Sequence, residues 1–255
     1  MKMMELGNTW DLDYTGTEAV NTLASNVIFS GAQYRSIMVT SGDSNEGKSF
    51  VTFQLAKKLA GLGHPVVYLD ADLRKSVFFS RYDVQVEEQP MGLAHYLAGR
   101  CTLDQIEYET NIPNLYVIPI GREVVNSLPL LNSAAFRKLI DDLKIQFSYV
   151  LVDAPPLGVI IDAAMIANVC DGALFIVTSE KTSRRELHNM VSQIQKTGCH
   201  VLGAVLNKVS MKSRKSRYYY HKSYYARYTG AEYISDAAME KRKRREDKGK
   251  NKPEE

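Results

Sequence analysis

The sequence holds little of what marks secreted, membrane-spanning or metal-cluster proteins. Its 255 residues include three cysteines, Cys101, Cys170 and Cys199, which lie far apart and match no metal-ligand spacing. Because disulfides are rare in reducing compartments, this usage favours reduced thiols in a cytoplasmic protein. The sequence contains no apolar run of about 18 residues, so no transmembrane helix is predicted. Residues 1–10 lack the apolar core of a secretory signal, so we expect no secretion.

Charge is distributed unevenly along the chain. The formal net charge is +3, but residues 211–255 contain 14 Lys and Arg against 7 Asp and Glu. The rest of the chain is therefore mildly acidic, and the C-terminal segment is basic. Such a segment is either a solvated extension or a contact for anionic lipid, nucleic acid or an acidic partner surface.

Apolar segments of strand length alternate with segments of helical periodicity over most of the chain. The predicted strands cover residues 36–41, 65–70, 115–119, 149–153, 172–178 and 201–207. The predicted helices cover residues 17–30, 48–62, 92–99, 133–145 and 184–196. Strands that are apolar at nearly every position are typical of a parallel sheet covered on both faces. We therefore predict a doubly wound, mostly parallel α/β domain over residues 31–210, preceded by an N-terminal segment with a helix (1–30) and followed by a flexible Tyr-rich tail (211–255).

A phosphate-binding loop is predicted between the first strand and the following helix. Residues 42–49, GDSNEGKS, fit the pattern G-x-x-x-x-G-K-[ST]. Backbone N–H groups at such a helix N-terminus bind phosphates, the lysine reaches the β- and γ-phosphates, and the hydroxyl ligates Mg²⁺. The alternative is a Gly-rich turn with a chance lysine. We expect ATP and Mg²⁺ as ligands, with contacts from Gly42, Asn45, Glu46, Gly47, Lys48, Ser49 and Phe50.

Acidic residues follow two of the predicted strands. Asp153 ends the strand YVLVD, and Asp70 and Asp72 follow VVYL two residues apart. We expect Asp70 and Asp153 to bind the metal with Ser49, and Asp70 or Asp72 to accept a proton from an incoming hydroxyl. The alternative is a pair of solvated loop carboxylates. Arg74 is expected either to shield transition-state charge or to pair with Asp70 or Asp72.

A tyrosine cluster lies in the basic tail. Seven of the fifteen tyrosines fall between residues 218 and 233, interleaved with Arg, Lys and His, so the segment has no apolar face to bury. An exposed segment of this kind suits a kinase substrate. One alternative is a tail that binds single-stranded nucleic acid, in which tyrosines stack on bases. Another is a disordered tail without a specific function. The expected phosphorylation sites are Tyr218, Tyr219, Tyr220, Tyr224, Tyr225, Tyr228 and Tyr233.

Together these motifs resemble the bacterial tyrosine kinase (BY-kinase) family. The matching elements are GDSNEGKS, the D-x-D-x-R run VVYLDADLR, YVLVDAPP, GLAHYLAG at 92–99, Asp162-Ala, and DGALFIV at 171–177, over residues 17–233. The resemblance implies a cytoplasmic ATP:protein-tyrosine kinase that phosphorylates copies of itself and helps control capsular or exopolysaccharide synthesis. It also implies activation by a separate membrane protein of the polysaccharide co-polymerase type, and hence peripheral membrane association. No nucleic-acid partner is expected.

By resemblance Asn207, at the end of the last strand, is the candidate for adenine contact; an Asn that merely caps the strand is the alternative.

The sequence departs from the family pattern at several positions. Asn21 and Ala24 stand where a helix of E-x-x-R-x-x-R form places arginines linked to ring assembly, so we do not predict such a ring. Ser76 and Ser127 replace prolines of two other family elements, and Pro129 replaces a glutamate. None of these changes removes a predicted phosphate or metal ligand.

Two other functions use the same loop. A partition-type ATPase switch, of the MinD or ParA kind, would have a signature lysine directly after the first loop glycine, where this chain has Asp43, and would lack the tyrosine cluster. A non-catalytic, kinase-like regulator would bind nucleotide without turnover, although the predicted catalytic residues are all present.

Overall fold

The computed structural model describes residues 2–85, 90–158 and 161–209, and within them nine strands form one sheet. The strands are β1 (Lys2–Leu6), β2 (Ser36–Ser41), β3 (Val66–Asp70), β4 (Val84–Gln85), β5 (Tyr108–Thr110), β6 (Leu115–Ile118), β7 (Tyr149–Asp153), β8 (Gly172–Thr178) and β9 (His200–Asn207). Their order across the sheet is β4-β1-β5-β6-β3-β7-β2-β8-β9. Pairing is parallel except between β1 and β4 and between β5 and β6. The predicted mostly parallel α/β fold is confirmed.

Helices cover both faces of this sheet. They are α1 (Tyr14–Phe29), α2 (Lys48–Gly61), α3 (Phe78–Tyr82), α4 (Leu93–Leu97), α5 (Leu128–Leu131), α6 (Ala134–Gln146), α7 (Asp162–Ala167) and α8 (Arg184–Gln195), with a 3-10 turn at Leu103–Gln105. The side chains of Asp13, Ser133 and Ser183 accept backbone N–H groups and so cap α1, α6 and α8. Within the described ranges, no helix has the length and apolar character needed to cross a bilayer.

Two apolar cores lie on opposite faces of the sheet. One contains α1, α2 and α3 packed on Ile37, Tyr68 and Leu151. The other contains α4, α6, α7 and α8 packed on Met38 and Val152. Strands β2 and β3 are buried at every residue because helices cover them on both sides, which explains their continuous apolar sequences.

The central strands bring the predicted acidic residues to one edge of the sheet. Strand β7 lies between β3 and β2, and its register pairs Asp153 with Asp70 of β3 and with Val39 of β2. Because parallel strands end at the same edge, the two carboxylates and the loop after β2 share that edge. The fold therefore assembles the candidate site from segments more than 100 residues apart in sequence.

The long elements occur where the sequence predicts them, and several short ones were not predicted. Strands β2, β7 and β8 have the predicted bounds. Strand β1 was missed, although it pairs in parallel with β5. Short elements α3, α5, α7, β4 and β5 were also missed because two to six residues carry little periodicity. The predicted domain boundaries remain predictions, and the predicted tail (211–255) lies outside the described residues.

Candidate active site

The predicted phosphate loop connects β2 to α2, and its geometry requires glycine at position 47. Gly47 has φ 95° and stands directly before α2. A Cβ atom built on Gly47 would lie 2.2 Å from Asn207 Nδ2, so a larger residue would clash as well as strain the backbone. The loop therefore ends at a helix N-terminus whose first backbone N–H groups have no partner within the helix, which is the arrangement that binds phosphate.

The Glu46 side chain turns inward and braces the loop. Its Oε2 accepts hydrogen bonds from the N–H groups of Gly42 (2.9 Å) and Asp43 (3.0 Å). Its Oε1 accepts from the Thr182 hydroxyl at 3.0 Å. Glu46 is buried, so these bonds are shielded from water. The sequence predicts a nucleotide contact for Glu46, whereas its carboxylate is engaged by the loop and by the segment after β8.

The end of β9 lies against the same loop. Asn207 Nδ2 donates to the Glu46 carbonyl oxygen at 2.8 Å, and the Lys208 ammonium donates to the Asn45 carbonyl oxygen. The Asn207 carbonyl oxygen accepts from the N–H of Ser179. Asn207 thus holds the phosphate loop to the strand end, and its contact with adenine stays a prediction.

Lys48, the first residue of α2, points into the acidic edge of the sheet. Its Nζ lies 3.3 Å from Asp72 Oδ2 and 3.7 Å from Asp153 Oδ1. Burial lowers the pKa of Lys48, but the charges of the neighbouring aspartates, Asp153 and Asp72 foremost, outweigh burial and raise it. Lys48 is therefore a permanent cation at neutral pH, placed among the carboxylates beside the phosphate loop.

Asp70 and Asp72 differ in their surroundings. Asp70 is buried, and its carboxylate accepts hydrogen bonds from the Ser76 hydroxyl and from the N–H of Asp72. Burial, with the neighbouring charge of Asp153, raises the pKa of Asp70 to about 8. Burial also raises the pKa of Asp72, although the nearby Lys48 ammonium opposes the shift. Neither carboxylate is a solvated loop acid, and that alternative is therefore wrong.

The two oxygens of the Asp153 carboxylate have unlike environments. Oδ2 accepts a hydrogen bond from the Tyr68 hydroxyl at 2.7 Å. Oδ1 is buried and has no hydrogen-bond partner among the described residues. Sequence reasoning missed Tyr68, because the contact depends on β3 and β7 being neighbours in the sheet.

Arg74 pairs with an acid that the sequence analysis did not assign to it. Its Nε donates to Asp162 Oδ2 at 2.8 Å, and its Nη2 lies 3.3 Å from Asp162 Oδ1. The Ser127 hydroxyl also donates to Asp162, which is buried. The ion pair of Arg74 with Asp70 or Asp72, one of the two alternatives, was therefore wrong, and the shielding of transition-state charge by Arg74 stays a prediction. The sequence offered only the family-matching element Asp162-Ala, which does not indicate Arg74 as a partner.

The residues at this edge fit a magnesium ion bound together with phosphates. In the described ranges, no group of three or more His, Cys, Asp and Glu side chains forms a metal cluster. Mg²⁺ in phosphate-transfer sites, however, typically takes one or two carboxylates and completes its shell with waters and phosphate oxygens. The unpartnered Asp153 Oδ1 and the buried Ser49, second in α2, suit that role. Asp70 has a hydrogen bond on each oxygen, so Asp153 fits better.

The remaining predicted site residues fall into two groups. Phe50, the third residue of α2, is half-buried next to the loop. The seven tail tyrosines lie outside the described residues, and their modification stays a prediction.

The comparisons with known proteins agree with this geometry. A sequence model of the CobQ/CobB/MinD/ParA nucleotide binding domain family matches residues 37–246. The tyrosine-protein kinase CpsD of Streptococcus agalactiae serotype Ia is 37% identical over 193 residues, which cover 76% of this chain and 82% of that protein.

Solved structures are similar over the same region. The kinase domain of the Escherichia coli tyrosine kinase ETK superposes with a TM-score of 0.73 at 26% identity, covering 77% of each chain. The chimerical protein CapA2B2 superposes with a TM-score of 0.69 at 28% identity, covering 75% of this chain and 84% of that one.

Proposed function

Because the chain belongs to the family of bacterial tyrosine kinases, we propose that it transfers phosphate from Mg-ATP to tyrosines of its own C-terminal cluster. The observation that carries this proposal is the convergence of Lys48 with Asp72 and Asp153 beside the phosphate loop. A lysine held by two carboxylates is positioned before nucleotide binds, so little reorganisation accompanies binding.

Each residue of the site has a proposed task. The loop N–H groups and Lys48 bind the phosphates, and Asp153, Ser49 and Asp70 are the candidates for holding Mg²⁺. When bound, Mg²⁺ supplies charge neutralisation at the phosphate oxygens. Asp72, which is less buried than Asp70, is placed to orient the incoming tyrosine hydroxyl and to accept its proton.

The proposed substrate is the tyrosine cluster between residues 218 and 233. Each phosphate adds roughly −1.5 to −2 charges at neutral pH. Four such events therefore offset the excess of basic residues in 211–255, which hold 14 Lys and Arg against 7 Asp and Glu. Phosphorylation would thus weaken any contact of this segment with an anionic surface.

The proposed cellular role is control of capsular or exopolysaccharide synthesis. Its support is the resemblance of residues 17–233 to the form of the family that works with a separate membrane activator. In this proposal the kinase acts at the cytoplasmic face of the membrane, held there by that partner, and copies of the chain phosphorylate one another.

A MinD- or ParA-like nucleotide switch is the second candidate, because the matching family model includes both. Asp43 occupies the position of the signature lysine of those switches and instead pairs with Lys181 at 3.0 Å. The absence of a lysine at position 43 argues against the switch.

Labelling with γ-phosphate-labelled ATP tests the kinase proposal. A variant with all seven tail tyrosines changed to phenylalanine should lose most of the incorporated label and keep its affinity for ATP. Undiminished labelling would place the substrate tyrosine elsewhere. If the variant loses both the label and its affinity for ATP, the tail instead supports the fold or the nucleotide site.

A further inference from the structure

Tyr68 connects the apolar core to the acidic edge of the site. The side chain belongs to β3 and is fully buried, yet its hydroxyl donates to Asp153 Oδ2 at 2.7 Å. A buried tyrosine hydroxyl requires a partner, and here that partner is the carboxylate at the end of the neighbouring strand.

The sheet register determines this contact. Tyr68 stands opposite Leu151, and Asp153 lies two residues further along β7 on the same face. Diagonal neighbours of this kind on adjacent strands are within reach of a long aromatic side chain. The hydroxyl therefore meets the carboxylate at the level where both strands end.

The ring of Tyr68 is held by other aromatic rings. Its centroid lies 6.0 Å from that of Phe53 in an edge-to-face contact and 5.2 Å from that of Phe78 in a tilted contact. Phe53 belongs to α2 and Phe78 to α3, so two helices fix the ring of this β3 residue. Because close-packed cores resist rearrangement, the hydroxyl presents its proton from a fixed place.

With Oδ2 held, the Asp153 carboxylate has one orientation. Oδ1 is then the oxygen that lies 3.7 Å from Lys48 Nζ and lacks a hydrogen-bond partner among the described residues. We propose that Tyr68 is a positioning residue that fixes the Asp153 carboxylate so that Oδ1 alone faces the metal-nucleotide complex. This inference rests on the proposed function, in which Asp153 holds Mg²⁺.

The expected consequence is a loss of metal affinity when the hydroxyl is removed. Hydrogen-bond partners that orient metal ligands typically contribute about 10–100-fold to metal affinity. Tyr68→Phe removes the hydroxyl and keeps the ring that packs on Phe53 and Phe78. Tyr108→Phe is the matched control, because Tyr108 is also buried and donates its hydroxyl to the Met91 carbonyl oxygen, away from the acidic edge.

The experiment measures Mn²⁺ binding to the full chain with ADP present, by the electron paramagnetic resonance signal of free Mn²⁺. Affinity for a fluorescent ADP without metal is measured in parallel, as is thermal unfolding. We expect Tyr68→Phe to weaken Mn²⁺ binding about 10-fold or more, with metal-free ADP affinity unchanged, and Tyr108→Phe to bind Mn²⁺ like the parent chain.

A double-mutant cycle separates positioning from a general structural role. In an Asp153→Ala background, Tyr68→Phe should have no further effect on Mn²⁺ affinity, because the carboxylate it orients is gone. An equal loss in both backgrounds, or wild-type Mn²⁺ affinity in Tyr68→Phe, would overturn the inference and leave the kinase proposal intact. Wild-type Mn²⁺ affinity in Asp153→Ala would show that Asp153 does not bind the metal. That result would overturn the inference about Tyr68 and would also remove Asp153 from the metal ligands of the kinase proposal.

Discussion

The Lys48 ammonium lies 3.3 Å from Asp72 Oδ2, and both side chains are almost fully buried beside the phosphate loop. This pair connects the helix after the loop to the segment after β3, which are the two parts of the chain expected to meet the transferred phosphate.

Replacing Lys48 should abolish phosphate transfer. Lys48→Met removes the cation that faces Asp72 and the phosphates, and losing one charged group of this kind costs about 10²–10³-fold or more in rate. Lys57→Met is the matched control on the same helix, because Lys57 makes a surface pair with Asp11. The measurement is label transfer from ATP, with circular dichroism to verify folding; near-normal transfer by folded Lys48→Met would refute the loop assignment.

Removing the Glu46 carboxylate should weaken nucleotide binding. Glu46→Ala frees the N–H groups of Gly42 and Asp43 from their shared acceptor, and hydrogen bonds to a charged group contribute about 1.5–3 kcal/mol. We expect roughly 10-fold weaker binding of a fluorescent ATP analogue, with most of the affinity recovered in Glu46→Gln. Lys181→Met, which breaks an exposed pair with Asp43, should have little effect. Equal losses in Glu46→Ala and Lys181→Met would contradict the bracing role.

The stability of the free protein should depend on pH through Asp70. Its pKa is raised by burial and by Asp153 from 3.8 to about 8 in the folded protein. Between these values the folded protein keeps a proton that the unfolded chain has lost, so the free energy of unfolding falls as pH rises. Asp70→Asn should lack this pH dependence. Its free energy of unfolding, relative to that of the parent chain, should therefore rise from about pH 5 to about pH 8, by on the order of a few kcal/mol.

Urea unfolding at a series of pH values measures the difference. Asp11→Asn is the control, because the Asp11 side chain is 99% exposed. Parallel stability curves for the parent chain and Asp70→Asn would show that the pKa of Asp70 is not raised.

Arg74 and Asp162 should be coupled in stability. Arg74→Ala leaves the buried Asp162 with the Ser127 hydroxyl as its remaining side-chain donor among the described residues. Because the Arg74 side chain is 37% exposed, we expect a cost of about 2 kcal/mol, below the range for fully buried pairs. The double variant Arg74→Ala/Asp162→Ala should be more stable than the sum of the single changes predicts. Additive effects in chemical denaturation would show that the pair contributes nothing.

Sequence patterns predicted those parts of the site that lie within one continuous segment. The loop at 42–49, the acids at and just beyond the end of β3 and the acid ending β7 are each recognisable from local order, since strand, turn and helix signals flank them. Alternating strands and helices also predicted the mostly parallel sheet, and with it a shared edge for Asp70 and Asp153.

Contacts between distant segments were not predictable in this way. The bond from Tyr68 to Asp153 depends on the spatial order of β3 and β7, and the pair of Arg74 with Asp162 depends on where α7 packs. Glu46 matches a variable position of its motif, so its inward carboxylate had no sequence signal. Strand β1 was missed because its partner, β5, begins about 100 residues later.

Autophosphorylation is tested most directly by the intact mass of the purified chain after incubation with Mg-ATP. We expect a ladder of added masses in steps of roughly 80 Da, one per phosphate, which disappears both in Lys48→Met and in the variant lacking all seven tail tyrosines. If the purified chain alone shows a single unmodified mass, the cytoplasmic segment of a candidate membrane activator should produce the ladder. Autophosphorylation of the tail would be contradicted by a ladder that persists in either variant. It would also be contradicted by a single unmodified mass, with and without the activator segment, while ATP is bound.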